Sequence, residues 1–275
     1  MINPKFFGNT DNNITIVTGF FEANAKHLHA TYENWMNNFL KLNEYMVIFT
    51  DIHNFEYINS RRNTSNTLII VTSIDKFEVA KYMDYWKYCH SIDLEKSYHS
   101  IELYMIWNEK TYLVEKALNL NPFKSDYFFW MDIGCIRDEK ILKSINKFSV
   151  DGIPENKTIL SSINHIPINP NLNENKISIS FENRNGFSCE IFNNIQAGFF
   201  GGHKNALRDW IKMYTDELSL FVRTETFGGK EQNIMSNIYI KYQQNFCLTH
   251  IKIFDSIPDF WFSFLIKMSN LSAYI

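Results

Sequence analysis

Short β-branched runs that stop at a small or acidic residue constrain this chain more than anything else in it. ITIVTGF (Ile14 to Phe20), YMVIFTD (Tyr45 to Asp51) and TLIIVTS (Thr67 to Ser73) each read as a buried strand. Between the first two, about Asn24 to Leu42, the apolar residues Leu28, Tyr32, Trp35, Met36, Phe39 and Leu40 recur at helical spacing. HNFEYINSRRNTSN, before the third strand, reads as a polar loop. A long helical region follows from about Lys76 to Leu120, with a break expected near Ser91 to Ser100. It stops at Asn121, before Pro122.

The next strand is the most informative, FFWMDIGCIR (Phe128 to Arg137). An aromatic run leads straight into Asp132, and an ionised carboxylate is costly to bury unless it is paired, hydrogen-bonded or metal-bound. After it, Asp138 to Phe148 reads as helical and NKTILSSI as a strand. Pro167 to Gly186 reads as a loop or hairpin excursion, QAGFFGG (Gln196 to Gly202) as a strand, and Asn205 to Leu220 as a helix. FGGKEQNIMSNIYIKY is a glycine turn opening a helix, NFCLTHIKIF a strand, and DFWFSFLIKM an aromatic helix. Buried strands alternating with amphipathic helices predict an α/β fold, with a mostly parallel, mixed sheet flanked by helices. No linker divides the chain, so one domain is expected over residues 1–275.

Composition removes several functions. The 275 residues are 45% hydrophobic, enough for a large core, and carry a net charge of −3. No basic field is present to hold nucleic acid. Cys89, Cys135, Cys189 and Cys247 form no C-x-x-C pair and read as reduced thiols rather than a zinc site. No signal peptide and no apolar run near the ~20 residues of a bilayer span is visible, so a cytoplasmic protein without an integral membrane segment is expected. G-x-G-x-x-G, G-x-S-x-G and H-E-x-x-H are absent, and GGK (Gly228 to Lys230) lacks the spacing of a phosphate-binding loop.

In open α/β sheets, ligands bind beyond the carboxyl ends of the strands, where strand order switches. That rule selects Thr18-Gly19, Thr50-Asp51, Asp132 to Gly134 and Gly198 to Gly202 as one rim. Each candidate also has a structural reading. Asp132 can cap a turn, with Gly134 taking a left-handed angle, or face a cleft. The glycines of GFFGG can close a turn or admit a ligand to the backbone. Glu231 can meet a helix dipole or act as a general base. Lys110 can be a solvated lysine or a phosphate partner, and His250 a structural histidine or a metal ligand. The C-terminal aromatics Phe260, Trp261, Phe262 and Phe264 read as core, with sugar stacking as the alternative.

IWNEKTYLVEKALNLNPFKSDYFFWMDIGCIR resembles the signature of the HtrL/YibB-like family: a Trp-x-x-Lys helix, then Asn-Pro-Phe, then a Trp-x-Asp-x-Gly strand. QAGFFGG and KEQNIMSNIY are similar to its later blocks, and the matching order runs from Ile14 to about Tyr242. That family looks like the GT-A class of nucleotide-sugar glycosyltransferases. The resemblance implies a Rossmann-related GT-A-like domain with a nucleotide-binding half (about 14–137) and an acceptor half (about 138–275). It implies sugar transfer from a nucleoside diphosphate sugar, UDP-sugar favoured, to a hydroxyl of a glycan or protein. Asp132-Ile133-Gly134 matches the first acid of that class's Asp-x-Asp and has glycine at the second. By this resemblance Asp132 holds ribose or a divalent cation (Mn2+ or Mg2+), with His250 replacing part of the coordination. Thr18, Gly19 and Asp51 border the nucleotide together with Gly134, and Lys110 or Arg137 neutralises the departing diphosphate. Gly201 and Gly202 lie near the donor sugar. Glu231 deprotonates the acceptor if transfer inverts, or positions it if transfer retains. The alternatives are a catalytically silent protein that binds a nucleotide sugar or glycan, and nucleotidyl transfer on a related fold.

Overall fold

The computed structural model describes residues 13–23, 29–145, 147–162, 195–250 and 264–269. The expected excursion at Pro167 to Gly186, Cys189, and the aromatics Phe260 to Phe262 lie outside them. The strands are β1 (Ile14–Phe20), β2 (Tyr45–Thr50), β3 (Thr67–Val71), β4 (Tyr127–Met131), β5 (Thr158–Ser162), β6 (Ile195–His203) and β7 (Phe246–His250). They form one seven-stranded sheet in the order β3-β2-β1-β4-β6-β5-β7. β6 runs antiparallel to both its neighbours, and every other pairing is parallel. The fold is therefore the expected mixed α/β type, and the sheet joins both halves of the chain.

The helices are α1 (His29–Phe39), α2 (Ile52–Arg61), α3 (Met83–Ile92), α4 (Ile101–Leu120), α5 (Glu139–Ser144), α6 (Lys204–Arg223), α7 (Glu231–Lys241) and α8 (Phe264–Ser269). The expected break in the long helical region separates α3 from α4. Ser100 caps α4 by accepting from Leu103 N–H, and Asn121 ends it in a left-handed turn at φ 37°. α2 corrects the polar loop expected there. Asp51 caps it, accepting from the Asn54 N–H at 2.9 Å, and only Asn54 and Ile58 are buried, so its apolar stripe is too thin to show in the sequence.

Alternation along β4 divides the core. Phe128 and Trp130 join Val17, Trp86, Leu113 and Trp210 on the face covered by α3, α4, α6 and α7. Phe129 and Met131 join Ile16, Met36, Phe39 and Phe264 on the face covered by α1, α5 and α8. Phe264 stacks on Phe199 at 4.3 Å, as its core reading requires. With apolar side chains on both faces, β4 fixes the middle of the sheet.

Two irregularities shape the rim. Strand order reverses at β1/β4, the position at which open α/β sheets commonly bind ligands beyond the carboxyl ends of their strands. β6 is also bulged. Leu160 pairs with Phe200 but Ser161 pairs with Gln196, so Ala197-Gly198-Phe199 have no counterpart on β5. A bulge bends its strand and re-aims nearby groups.

Gly201 and Gly202 lie back along the sheet from Asp132. They pair with Phe129, the middle residue of β4, and with Phe128, because β6 runs in the reverse direction. A methyl at Gly201 would overlap the Phe129 ring and the Phe128 carbonyl. Gly202 has φ 154° and no room for a Cβ beside Lys157 O. Close strand packing accounts for both.

Candidate active site

The aromatic half of β4 is buried, and the chain leaves the core at Asp132. The Asp132 N–H donates to Gly198 O in the bulge at 2.9 Å, which fixes where the residue emerges. Its Oδ1 accepts from Trp130 Nε1 at 2.8 Å, so the residue two before it orients the carboxylate. The Asp132 side chain is 34% exposed and is the solvent-facing member of the group.

Lys110 reaches the same oxygen from behind. Its Nζ lies 3.0 Å from Asp132 Oδ1 and 2.7 Å from Glu231 Oε1, and it donates to Ala197 O in the bulge at 3.3 Å. The lysine and Glu231 side chains are only 6% and 7% exposed. Burial alone would pull the Lys110 pKa down. The Asp132 and Glu231 carboxylates outweigh it and hold it at about 12, so the ammonium stays charged.

α4 also builds the turn that presents Glu231. Asn108 Nδ2 donates to Gly228 O and Gly229 O at 3.1 and 3.3 Å, while its Oδ1 accepts from Tyr214 OH at 2.8 Å. A Cβ at Gly228 would collide with the Tyr85 hydroxyl, so the glycine turn packs tightly against α3. Glu231 then opens α7, and Gln232 Nε2 ties that helix to Ile195 O at 3.0 Å. One short segment, Asn108 to Lys110, thereby joins both predicted acids. The arrangement is a cation held between two carboxylates, one buried and one facing solvent.

The remaining predicted residues fall into distinct settings. Arg137 follows β4 on the same rim, its guanidinium 4.3 Å from the Trp35 ring centroid. Gly134 lies beside Trp35 and Tyr32 and, contrary to the turn-cap reading, has no left-handed φ. Thr18 is buried in β1 with its hydroxyl unpaired, and Gly19 packs against Phe21 and Trp130. Asp51 stands at the end of β2, but its oxygens accept from the Asn54 and Glu22 N–H groups, which stitch β1 to α2. His250 closes β7 opposite Ser162, on the Asp132 edge of the sheet. Sequence reasoning gave no role to Asn108, Trp130 or the Ala197 carbonyl. The Asn-Glu-Lys run at 108–110, in the middle of α4, was the one signal for Asn108; Trp130 and the Ala197 carbonyl had none.

The donor set around Asp132 fits a cation only in a limited way. One of its carboxylate oxygens already accepts from Trp130 and Lys110, and Gly134 adds none. Mg2+ is commonly held by one or two carboxylates plus substrate phosphates. The described residues suit such a shared ion rather than one caged by protein alone.

The described group with three potential ligands is elsewhere, at Asp93, Glu95 and His99. There Asp93 Oδ2 contacts His99 Nδ1 at 2.8 Å and accepts from Tyr104 OH at 2.6 Å, while Glu95 pairs with Lys230. Those contacts make it a structural latch beside the Glu231 turn.

A family model described as "Bacterial protein of unknown function (HtrL_YibB)" matches residues 12–261. Comparison with curated proteins finds no match. Among the described residues, no helix is long and apolar enough to cross a membrane.

Proposed function

Given that the chain belongs to the HtrL/YibB family, we propose that it transfers a sugar from a nucleoside diphosphate sugar to an acceptor hydroxyl. The observation that carries this reading is the Lys110 ammonium joining Asp132 and Glu231 at the strand-order switch. Two carboxylates of unequal exposure, with fixed positive charge between them, suit a reaction in which a phosphate leaves and a hydroxyl loses a proton. Asp132, the exposed acid, takes the donor's ribose hydroxyls, or would hold a divalent cation. That cation, when bound, supplies charge neutralisation at the leaving group. Arg137 meets the diphosphate from the same rim, while Lys110 holds both acids in register. Glu231 accepts the acceptor's proton, or orients the acceptor if the anomeric centre is retained.

The test is incubation with a panel of nucleoside diphosphate sugars, with and without Mn2+, following nucleoside diphosphate release and the glycosylated product. Release with one donor, lost in Asp132→Ala, is expected. Donor binding without release in any arm would overturn the transferase reading. It would favour the silent binding protein, for which glycine at position 134 and the burial of Glu231 are the supporting observations.

A further inference from the structure

The wall of the rim opposite Lys110 is built by α1, which carried no site residue in the sequence reading. Tyr32 and Trp35 are one helical turn apart, and their rings meet edge to face at 5.4 Å. An ideal Cβ at Gly134 would lie 3.4 Å from Trp35 Cε3 and 3.8 Å from Tyr32 Cδ1. Those are ordinary contacts, and the φ of Gly134 is not left-handed, so neither clash nor backbone strain demands glycine there. What glycine does is leave the two rings uncovered at a point where any side chain would lie against both. The Arg137 guanidinium lies over the Trp35 ring, 4.3 Å from its centroid. Tyr32, Trp35, Gly134, Arg137 and Asp132 are all partly exposed.

We propose that Tyr32, Trp35 and Arg137, over the gap left by Gly134, form the binding wall for a nucleoside diphosphate. The flat rings suit a base or ribose, because every base has a π-face. Arginine suits this place because a guanidinium can both stack on an aromatic face and match phosphate geometry. Asp132 then lies between the two halves of the ligand, within reach of its hydroxyls. The Tyr32 hydroxyl belongs to the same electrostatic site. Its pKa is raised first by burial and next by the Asp132 charge, with Arg137 and Lys110 opposing. This assignment deepens the proposed transferase reading and rests on it for the identity of the donor, but binding alone tests it.

The experiment is calorimetric titration of the full chain with UDP, GDP, ADP, uridine and pyrophosphate, using wild type, Tyr32→Ala, Gly134→Leu and Arg137→Gln. At least one diphosphate nucleotide should bind wild type. Its affinity should fall tenfold or more in Tyr32→Ala and Gly134→Leu, with melting temperatures kept within a few degrees. Arg137→Gln should weaken the nucleotide and pyrophosphate but not uridine. Unchanged nucleotide affinity in both Tyr32→Ala and Gly134→Leu would overturn the assignment, as would failure of all three nucleotides to bind wild type. Nucleotide binding without sugar transfer would keep this wall and remove the transferase. Transfer undisturbed by Gly134→Leu would do the reverse.

Discussion

Lys110 and Glu231 meet in a buried 2.7 Å ion pair across 121 positions of sequence. The pair closes α4 onto α7 beneath the exposed Asp132. Removing one partner leaves the other charge without its nearest neutralising group, and that asymmetry sets the first expectation.

Lys110→Met should destabilise the fold by about 3–5 kcal/mol, the usual cost of breaking a buried ion pair from one side. Urea denaturation measures it. Adding Glu231→Gln to the same chain should recover part of the loss, because the stranded buried carboxylate is then gone.

Asp132→Asn should behave in the opposite way. The side chain is partly exposed, its amide oxygen can still accept from Trp130, and Lys110 retains Glu231. Stability should change by no more than about 1 kcal/mol, the range of a typical net hydrogen bond. Donor-dependent turnover should drop by about a hundredfold or more, the scale of losing a transition-state electrostatic partner. Comparing kcat/KM with the melting curve separates the two effects.

Asp93 should govern part of the acid limb of stability. Burial pushes its pKa up, but hydrogen bonds from His99, Tyr104 and the Glu95 N–H prevail and bring it to about 2. A folded pKa below the unfolded value gives stability that is present above about pH 4. It is lost as pH falls toward about 2, in all roughly 2 kcal/mol. Asp93→Asn should flatten the fall of stability across that window, as followed by denaturation at successive pH values.

Gly201→Ala should be a stability variant with a silent site. Its methyl would stand 2.7 Å from Phe129 Cα, so backbone would have to move. Overpacking of this kind costs about 1–3 kcal/mol. Nucleotide affinity should be unchanged, because the residue is buried in the middle of the sheet against Phe129 rather than on the Asp132 rim. A loss of affinity without a loss of stability would restore Gly201 to the donor site.

Mn2+ should bind the rim only together with a nucleoside diphosphate. The described donors leave one carboxylate oxygen of Asp132 for it, and the ligand's phosphates would complete the shell. Water-proton relaxation titrations with and without UDP make the comparison. Tight binding of Mn2+ alone, lost in Asp132→Asn, would show a resident metal.

The fold was readable where patterning is strong. β1, β2 and β4 announce themselves as buried strands by unbroken apolar runs, and α4 by the break before it and its Asn-Pro end; β3 has the same run but stands at the sheet edge, partly exposed. α2 was missed because its buried face is nearly confined to Asn54 and Ile58. Just beyond it, Arg62 is fully buried, its guanidinium donating to Leu40 O at 2.8 Å and to the Leu42 and Glu44 carbonyls. A residue-by-residue pattern counts such an arginine as surface. Within the site, Asp132 was legible because a carboxylate after an aromatic run needs an explanation. Glu231 and Lys110 could be named, but their meeting could not, since it depends on how α4 crosses the sheet. For the same reason the position of Gly201 and Gly202, back along the sheet from Asp132, could not be read from the sequence. Glycines at a strand end mark a rim only when the strand's direction is known, and β6 runs backwards.

The shared ammonium makes the two acids exchangeable creditors of one charge. A ligand that draws Asp132 Oδ1 toward itself loosens that oxygen's hold on Lys110, and the lysine then leans more heavily on Glu231. Occupancy of the solvent-facing acid would thus be communicated to the buried one through a single nitrogen. By reciprocity, whatever changes the charge on Glu231 changes the affinity at Asp132. Donor and acceptor sides of such a rim would be coupled without any helix having to move.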